Sequence, residues 1–487
     1  MSDKRRVSYF DTTSVAAMVG FGLYWAWIDL TLFSSPLTFG GVDQSILFSR
    51  YSSLVCLPFA IAFFAIVLNF CQDFGARSLR QRLIVGAISL AGASGSLLLA
   101  WGAQQSEALF GVGLAINGLT MGAMTLVWAE VYARDGQNRG SVWVPGSIAF
   151  SCVVYLIVMN LTGGLRVAVL GAMPLLSMGA AWVLSHQEED NPDSVNRAAE
   201  YDLMDPVPRG LLASVLPWRF ALLLVSYSAY FGVIMFLYAT PGASASGGSD
   251  GARFLARGAT CLLFFVGMSV FGWKPRIAYK ASILVIIAGF LFLPFLFNGY
   301  GYVIEIIAHI GYGCFDCMIW AVLFGLVKSQ RASTTVVTGL VRILTAAGTF
   351  VAALAVIALT VSVSLTAEQM TALSSSLVYL IVIILMLVLN DGRPDALWGA
   401  LDEAEPSREE SRSWAMVEEF GVRHGLSDRE REVLHPLVQG RSMPVIAEGL
   451  SISLNTVKSH VRHIYQKVAV GNKQELIDRL EEEAPGR

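Results

Sequence analysis

The sequence is poor in charged residues. Asp, Glu, Lys and Arg make up 15% of its 487 residues, against about 25% in an ordinary soluble domain. Hydrophobic residues make up 55%, and the mean hydropathy is +0.59. This composition excludes a soluble globular domain as the main part of the chain and predicts an integral membrane protein. The formal net charge of −3 gives no overall sign of a nucleic-acid partner.

Several kinds of motif are also missing. The sequence contains no nucleotide-binding loop, Ser/His/Asp arrangement or metalloprotease motif, so nothing in it indicates an enzyme, a cofactor or a metal. The spacing Cys314-x-x-Cys317 is that of redox motifs, but no second ligand pair accompanies it. The cysteines all fall in apolar runs. This placement shows no extracellular disulfide framework and predicts buried thiols. They are Cys56, Cys71, Cys152, Cys261, Cys314 and Cys317.

Long apolar runs dominate what is present. Crossing about 30 Å of hydrocarbon takes about 20 apolar residues in a helix, and continuous runs without two-residue alternation exclude strands. We predict an all-α fold with twelve transmembrane helices, called spans 1 to 12. The first is a retained span, because no small-residue cleavage site follows it. The predicted spans are residues 14–34, 45–70, 83–103, 109–132, 142–162, 165–185, 212–238, 254–273, 277–297, 300–327, 334–361 and 372–390.

The distribution of Lys and Arg predicts the orientation. Every second loop is rich in these residues and is therefore expected in the cytoplasm, with both termini, at the inner membrane of a bacterium. The alternate loops hold few of them, namely Arg166, Arg253 and Arg257. The rich set comprises Lys4, Arg5, Arg6, Arg77, Arg80, Arg82, Arg134, Arg139, Arg197, Arg209, Lys274, Arg276, Lys280, Lys328, Arg331 and Arg393.

A longer polar stretch, residues 186–210, divides the twelve spans into six plus six. Asp73, Gly75 and Arg77 follow span 2 in the loop that leads to span 3. This layout resembles the major facilitator superfamily of transporters. The resemblance implies two six-helix halves that enclose a central cavity near the midplane of the bilayer.

Span 10 is dense in polar side chains. Ionisable groups cost roughly 2.5–3.5 kcal/mol each at the bilayer centre on insertion scales, so they need a compensating reason. At about 100° per residue, five polar or aromatic side chains form one stripe, which must face protein or water. A second set lies in spans 1, 4 and 11. The stripe is Glu305, His309, Tyr312, Asp316 and Trp320, and the second set is Trp25, Asp29, Asn117 and Arg342.

These nine side chains predict a ligand-binding cavity. Acids, aromatic rings and a histidine suit a small organic molecule, cationic or phenolic, which they would bind by charge and stacking. Two alternatives stay open. The residues can pair internally, for example Arg342 with Glu305 or Asp316, and hold helices together. His309 can also titrate near neutral pH and sense protons.

The end of the chain has the pattern of four short soluble helices. Ser427 and Glu430 have the spacing of a capping box before a helix that Gly440 ends. Ser453 is the predicted N-cap of the third helix. Apolar side chains recur at helical spacing in each segment. The later helices are predicted at residues 443–450, 454–467 and 473–482.

This segment, residues 426–482, resembles the helix-turn-helix domain of LuxR-type transcription regulators. The third helix carries basic and no acidic side chains, whereas acids lie on the helices around it. The resemblance implies that the third helix enters the major groove of double-stranded DNA. An alternative is that the fold serves only as a protein-interaction module. By resemblance, Lys458, Ser459 and Arg462 face base edges, and Thr456, His463 and Lys467 contact the phosphate backbone.

The sequence therefore predicts a sensor domain (residues 1–390), a linker (391–425) and a DNA-binding domain (426–487). Trp414, Val417 and Phe420 recur at helical spacing in the linker, either as a docking or dimerising helix or as a helix lying on the domain. We interpret the whole as a ligand-controlled membrane regulator that binds DNA as a dimer. A secondary transporter with regulatory activity is the alternative. A third hypothesis is constitutive DNA binding with the spans as an anchor.

Overall fold

The computed structural model has two compact units, Met1–Ala404 and Glu405–Arg487. The boundary falls inside the linker predicted for residues 391–425. Helices are the only regular elements in the described residues, which confirms the all-α prediction. The structure describes residues 12–33, 42–134, 140–189, 215, 216, 218–238, 250–273, 276–296, 301–330, 333–362, 369, 372, 373, 375–377, 379, 380, 383, 417, 420–438, 443, 446, 447 and 453–483.

Eleven of the twelve predicted spans are long helices in the described part of the first unit. A further short helix, α3, follows span 2. Of the twelfth predicted span, residues 372–390, only isolated helical residues are described. The helices are α1 (Thr12–Phe33), α2 (Val42–Phe70), α3 (Phe74–Arg80), α4 (Arg82–Gln105), α5 (Glu107–Arg134), α6 (Gly140–Met159), α7 (Gly163–Glu189), α8 (Trp218–Tyr238), α9 (Asp250–Phe271), α10 (Arg276–Leu296), α11 (Gly301–Gln330) and α12 (Thr334–Ser362).

Helix length and hydropathy support a multi-pass membrane protein. Within the described residues, eight helices are individually long and apolar enough to cross a bilayer. The pair Leu54–Phe70 and Phe74–Arg80, bent by 89°, raises the number to nine if the pair is counted as one span. Shorter apolar helices cover Phe220–Ile234 and Lys280–Gly289. The number of twelve spans stays a prediction.

The predicted start of span 7 at residue 212 is wrong. Val215 and Leu216 are buried in a bend, and α8 begins at Trp218. Pro217 precedes that helix, and a proline disfavours the helical conformation in the residue before it. Hydropathy alone extended the span across this proline.

The two halves of the membrane unit, α1–α7 and α8–α12, meet along two main helix pairs. α6 packs against α9, and α2 packs against α12. Within the first half, indole N–H groups join helices: Trp27 Nε1 donates to Ser96 Oγ over 2.8 Å, and Trp128 Nε1 donates to Ser177 Oγ over 2.9 Å. These bonds satisfy polar groups that lipid could not.

Helices α8 and α12 approach each other closely through two glycines. A Cβ atom at Gly232 would lie 2.6 Å from the carbonyl oxygen of Thr349, and one at Gly348 would lie 2.6 Å from the carbonyl oxygen of Val225. Neither distance is compatible with a side chain. Small residues permit such backbone-to-backbone packing between membrane helices.

Hydrogen bonds also join the turn after α2 and the start of α3 to the start of α12. The backbone N–H of Gly75 donates to Thr335 Oγ1 over 3.0 Å, and the Ser333 hydroxyl donates to the carbonyl oxygen of Gln72 over 2.8 Å. This latch, formed by Gln72, Gly75, Ser333 and Thr335, joins the first half of the membrane unit to the second.

The described helices of the second unit follow the predicted pattern. α13 (Asp428–Val438), α14 (Leu454–Val468) and α15 (Lys473–Glu482) surround a core of their own. The bounds of α15 agree with the prediction. Gly440 lies outside the described residues, and the predicted helix 443–450 is described only at its helical residues 443, 446 and 447.

Local caps define the ends of α13 and α14. The backbone N–H of Ser427 donates to Glu430 Oε2 over 2.7 Å, and the N–H of Glu430 donates to Ser427 Oγ over 3.4 Å, which confirms the capping box. The N–H of Thr456 donates to Ser453 Oγ over 3.1 Å. Ser453 is therefore the N-cap, as predicted.

The end of the predicted linker belongs to the second unit. Val417 is fully buried and Phe420 is buried, and both pack into the same core as α13, α14 and α15. Of the two alternatives for the linker, the packing of Val417 and Phe420 agrees with a helix lying on the domain. Trp414 lies outside the described residues.

Candidate functional sites

The exposed face of α14 holds all six residues predicted to meet DNA. Its opposite face is buried and consists of Val457, Val461, Ile464 and Val468. An amphipathic helix with one apolar stripe anchors that stripe in the core and presents the other side to solvent. The exposed residues are Thr456, Lys458, Ser459, Arg462, His463 and Lys467.

Glu430 divides the basic side chains of α14 into two groups. Lys467 Nζ donates to Glu430 Oε2 over 2.7 Å, and His463 Nδ1 lies 3.9 Å from Glu430 Oε1. Lys458 and Arg462 form no ion pair within the described part of the chain. Lys458 and Arg462 therefore carry positive charge without an ionic partner among the described residues.

The pKa of Glu430 reflects this contact. Burial raises the pKa of the carboxyl group, but hydrogen bonds from Lys467 and Ser427 lower it by more, so the pKa falls to about 2. From the sequence, Glu430 was predicted only as part of the capping box. Its contact with Lys467 joins α13 to α14 and gives Lys467 a structural role besides the predicted one.

A buried charge triad joins the two halves of the membrane unit. Arg257 of α9 donates through Nη1 to Asp29 Oδ1 over 2.9 Å and through Nη2 to Asp316 Oδ2 over 2.8 Å. The three side chains are each 1% exposed. Asp29 lies in the first half, and Arg257 and Asp316 lie in the second.

Arg257 belongs to this candidate site but was not among the site residues predicted from the sequence. It was counted among the charges of a loop, and this placement is wrong because α9 begins at Asp250 and carries Arg257 into the protein interior. The available signal was an arginine inside the predicted span 254–273. The pairings suggested for Arg342 with Glu305 or Asp316 are also wrong.

A second ion pair lies further along the same helices. Arg253 Nη1 of α9 lies 3.6 Å from Glu305 Oε2 of α11. His309 is buried, and its Nδ1 lies 2.9 Å from the carbonyl oxygen of Glu305. Its ring packs edge-on against Phe254, with the centroids 5.5 Å apart. Glu305 and His309 thus lie outside the cavity described next.

A cavity of about 100 Å³ lies between the two halves. α1, α2 and α5 contribute its wall from the first half, and α8, α11 and α12 from the second. It includes four of the nine predicted ligand residues, Trp25, Tyr312, Asp316 and Arg342. The lining residues are Tyr24, Trp25, Ile28, Leu32, Leu57, Ala60, Phe64, Met121, Thr125, Ser228, Phe231, Tyr312, Phe315, Asp316, Ile319, Arg342, Thr345, Ala346 and Thr349.

Arg342 lies between two tryptophan rings at this wall. Its guanidinium carbon is 5.6 Å from the ring centroid of Trp25 and 4.8 Å from that of Trp320. These are cation–π distances. Trp320 itself is fully buried and is not part of the wall. Asp29 does not line the cavity, but its partner Arg257 also binds Asp316 of the wall.

Two predicted features lie away from the cavity. Asn117 is buried on α5, and a Cβ atom at Gly95 would lie 2.3 Å from its side-chain oxygen, so Asn117 faces α4. Cys317 lies 4.0 Å from Cys261 between the two sulfur atoms. No group of three potential metal ligands was found among the described residues.

The membrane unit has the fold of major facilitator transporters. The human organic anion transporter MFSD10 (TETRAN) superposes with a TM-score of 0.51 at 16% identity, covering 77% of this chain and 98% of that one. The proton:xylose symporter XylE, bound to 6-bromo-6-deoxy-D-glucose, gives 0.50 at 12% identity and covers 79% and 96%. At these identities the likeness defines the fold alone.

The C-terminal unit contains a LuxR-type helix-turn-helix domain. Residues 424–480 match the family described as bacterial regulatory proteins, luxR family. The monoamine regulon transcriptional regulator of Klebsiella aerogenes is 44% identical over 54 residues, or 11% of this chain and 24% of that protein. The transcriptional regulatory protein DesR of Bacillus subtilis is 36% identical over 67 residues, or 14% and 34%.

The chain thus spans about a quarter to a third of the length of these relatives. The match is confined to the DNA-binding domain. Together with the fold of the first unit, it defines a multi-pass membrane protein that carries the DNA-binding domain of transcription regulators.

Proposed function

We propose that this chain is a membrane-bound one-component transcription regulator. In this proposal, a small molecule in the cavity between the two halves controls DNA binding by the C-terminal domain. The observation that carries the proposal is the triad of Asp29, Arg257 and Asp316, which joins both halves beside a cavity that both halves line.

The triad suits a two-state element. Buried ions are costly to strip of water, and a pair that loses one partner leaves an uncompensated charge. Moving the halves apart at Asp29 must therefore rehydrate the charges or pair them anew, so intermediate positions are unfavourable. A ligand that touches Trp25 or Asp316 in only one arrangement shifts the balance between the two. A swing from 1:99 to 99:1 takes about 5.5 kcal/mol of differential binding.

The roles of the segments follow from this assignment. Residues 1–390 form the sensor, residues 391–425 transmit the change, and residues 426–487 bind double-stranded DNA as a dimer. Both termini lie in the cytoplasm of a bacterium, where the DNA-binding domain reaches the chromosome. Lys458, Ser459 and Arg462 read base edges, and Thr456, His463 and Lys467 contact the backbone.

A transcriptional reporter tests the proposal. Promoters of the neighbouring genes would be fused to a reporter and exposed to a small-molecule library in cells that express the wild type or Asp316→Asn. We expect a compound-specific response that Asp316→Asn loses or shifts to higher concentration. Asn160→Ala, which alters an exposed side chain at the end of α6, should respond as the wild type does. Membrane expression of each variant would be verified. An equal response in Asp316→Asn would place sensing elsewhere.

The second candidate is a secondary transporter that also regulates transcription. The transporter fold of the first unit favours it. Uptake of the identified compound into sealed vesicles separates the two functions. Accumulation above the external concentration supports the transporter, whereas saturable binding without accumulation supports the sensor.

A further inference from the structure

The carboxylates near the cavity already have cationic partners. Asp29 and Asp316 share Arg257, and Glu305 lies within ion-pair distance of Arg253. Asp316 is the only acidic residue among the described residues that line the cavity. A cationic ligand would therefore have to compete with Arg257, whose Nη2 already donates to Asp316 Oδ2 over 2.8 Å.

Arg342 is the opposite case. No carboxylate in the described part of the chain lies within ion-pair distance of its guanidinium, although the side chain lines the cavity. Its Nε–H has no protein acceptor. The rings of Trp25 and Trp320 stabilise the charge through their faces but cannot accept all of its N–H bonds. The nearest acid of the wall, Asp316, attracts Arg342 only from beyond ion-pair distance.

Other buried hydrogen-bond donors near Arg342 also lack an acceptor. The indole Nε1 atoms of Trp25 and Trp320 and the hydroxyl of Ser228 have no hydrogen-bond partner among the described protein atoms. An indole N–H and a guanidinium can only donate. Buried polar groups are nearly always hydrogen-bonded, and Trp25 and Ser228 line the cavity together with Arg342.

The rest of the wall is apolar and aromatic. The rings of Phe231 and Tyr312 stack with their centroids 3.9 Å apart, and Phe315 and Ile319 extend the same surface. The volume of about 100 Å³ is smaller than the roughly 150 Å³ of a cavity that binds benzene, so it suits a molecule smaller than benzene. The wall thus fits a small apolar body with one group rich in acceptors.

We propose that the ligand is a small organic anion whose carboxylate accepts hydrogen bonds from Arg342, with its apolar body against the Phe231 and Tyr312 rings. This inference rests on the proposed function in taking the cavity as the ligand site. It replaces the cationic ligand suggested by the acidic residues of spans 1 and 10, because those acids are paired within the protein.

Matched ligand series test the proposal by calorimetric titration of the full-length protein in lipid nanodiscs. The probes are acetate and butyrate, each compared with the amide and the amine of the same body. We expect at least one carboxylate to bind about tenfold more tightly than its amide, since hydrogen bonds to charged groups are the stronger ones. The amines should bind more weakly still.

Variants of Arg342 test whether this residue causes the preference for the carboxylate. Arg342→Gln should remove the preference for the carboxylate, and Arg342→Lys should keep part of it, because a lysine retains the charge without the planar fork. Arg82→Gln is the matched control, since Arg82 also lies over a tryptophan ring, 5.2 Å from the centroid of Trp182, but outside the cavity wall. It should bind as the wild type does. Arg342→Lys also guards against misfolding of the glutamine variant.

The outcomes separate this inference from the proposed function. If no carboxylate binds more tightly than its amide and amine, or if Arg342→Gln retains the preference, the anion assignment is overturned. A reporter response to an uncharged or cationic compound would then leave the regulator intact with another ligand. Conversely, Arg342-dependent carboxylate binding without any reporter response would support the anion site and contradict ligand control of transcription.

Discussion

Nη1 of Arg257 lies 2.9 Å from Oδ1 and 3.0 Å from Oδ2 of Asp29, although 228 positions separate the two residues in the sequence. One nitrogen of the guanidinium thus holds a carboxylate of the first half, while Nη2 holds Asp316 of the second. This geometry makes Arg257 the shared partner of two acids that would repel each other without it.

Replacing Arg257 should destabilise the membrane unit strongly. Arg257→Gln leaves two buried carboxylates without a cation, and breaking a buried ion pair in this way costs about 3–5 kcal/mol. The triple variant Asp29→Asn, Arg257→Gln, Asp316→Asn removes all three charges and should recover most of the loss. Thermal unfolding of the purified variants, followed by tryptophan fluorescence, gives the comparison. A triple variant as unstable as Arg257→Gln would contradict the charge argument.

The capping box should make the second unit sensitive to acid. The pKa of Glu430 is lowered to about 2 in the folded protein, below its ordinary value near 4.5. A lowered folded-state pKa contributes stability that is present above pH 4.5 and is lost as the pH falls toward 2. Glu430→Gln should therefore unfold more easily near neutral pH, by about 1 kcal/mol, and should lose less stability on acidification.

Hydrogen exchange at the amides of α13 and α14 in the full-length protein measures this local stability. Glu432→Gln is the control, because Glu432 lies on the same helix and forms an exposed pair with Arg429 at 2.6 Å. Exposed pairs contribute little, so its exchange should match that of the wild type. Equal pH profiles for the wild type and Glu430→Gln would refute the assignment.

Lys458 and Arg462 should account for much of the specific DNA affinity. Each single alanine variant should lose about 1–3 kcal/mol on a site that the wild type selects from a random library, because base contacts of this kind contribute that much. The slope of log affinity against log salt concentration should change only in a variant that loses a phosphate contact. Arg429→Ala removes a cation from α13 and should leave the affinity unchanged. Retained sequence-specific binding by Lys458→Ala/Arg462→Ala would exclude α14 as the recognition helix.

The Thr335 hydroxyl, which accepts one of the two hydrogen bonds of the latch, should stabilise the start of α3. Thr335→Val removes the acceptor of the Gly75 N–H at similar side-chain shape, with a cost of about 1 kcal/mol. Amide exchange in residues 74–77 should accelerate. Thr338→Val is the matched control, since Thr338 is buried one turn later and its hydroxyl has no partner among the described protein atoms. Identical exchange in the two variants would show that this hydrogen bond does not stabilise the start of α3.

Features with local causes could be predicted from the sequence. Ser427 with Glu430, and Ser453 with Thr456, lie three residues apart, so their caps depend on one turn of chain. The apolar face of α14 follows from helical periodicity in the same way. Long apolar runs likewise predicted the helices of the membrane unit, except where Pro217 delays the start of α8.

The pairing of buried charges could not be predicted in this way. Which acid Arg257 meets depends on the packing of α9 against helices from both halves, and no local pattern records it. Counting Arg257 with the loops followed from a rule that reads charge near span ends as solvent-exposed. The same lack of tertiary information led to the wrong partners for Arg342.

The glycines of α8 and α12 have a mechanical consequence. Gly232 faces the carbonyl oxygen of Thr349, and Gly348 faces that of Val225, so a slide of one residue along either axis would bring a β carbon against a carbonyl group. The register of the pair is therefore fixed. Any translation of α12 along its axis must therefore carry α8 with it, so the two helices move as one rigid body.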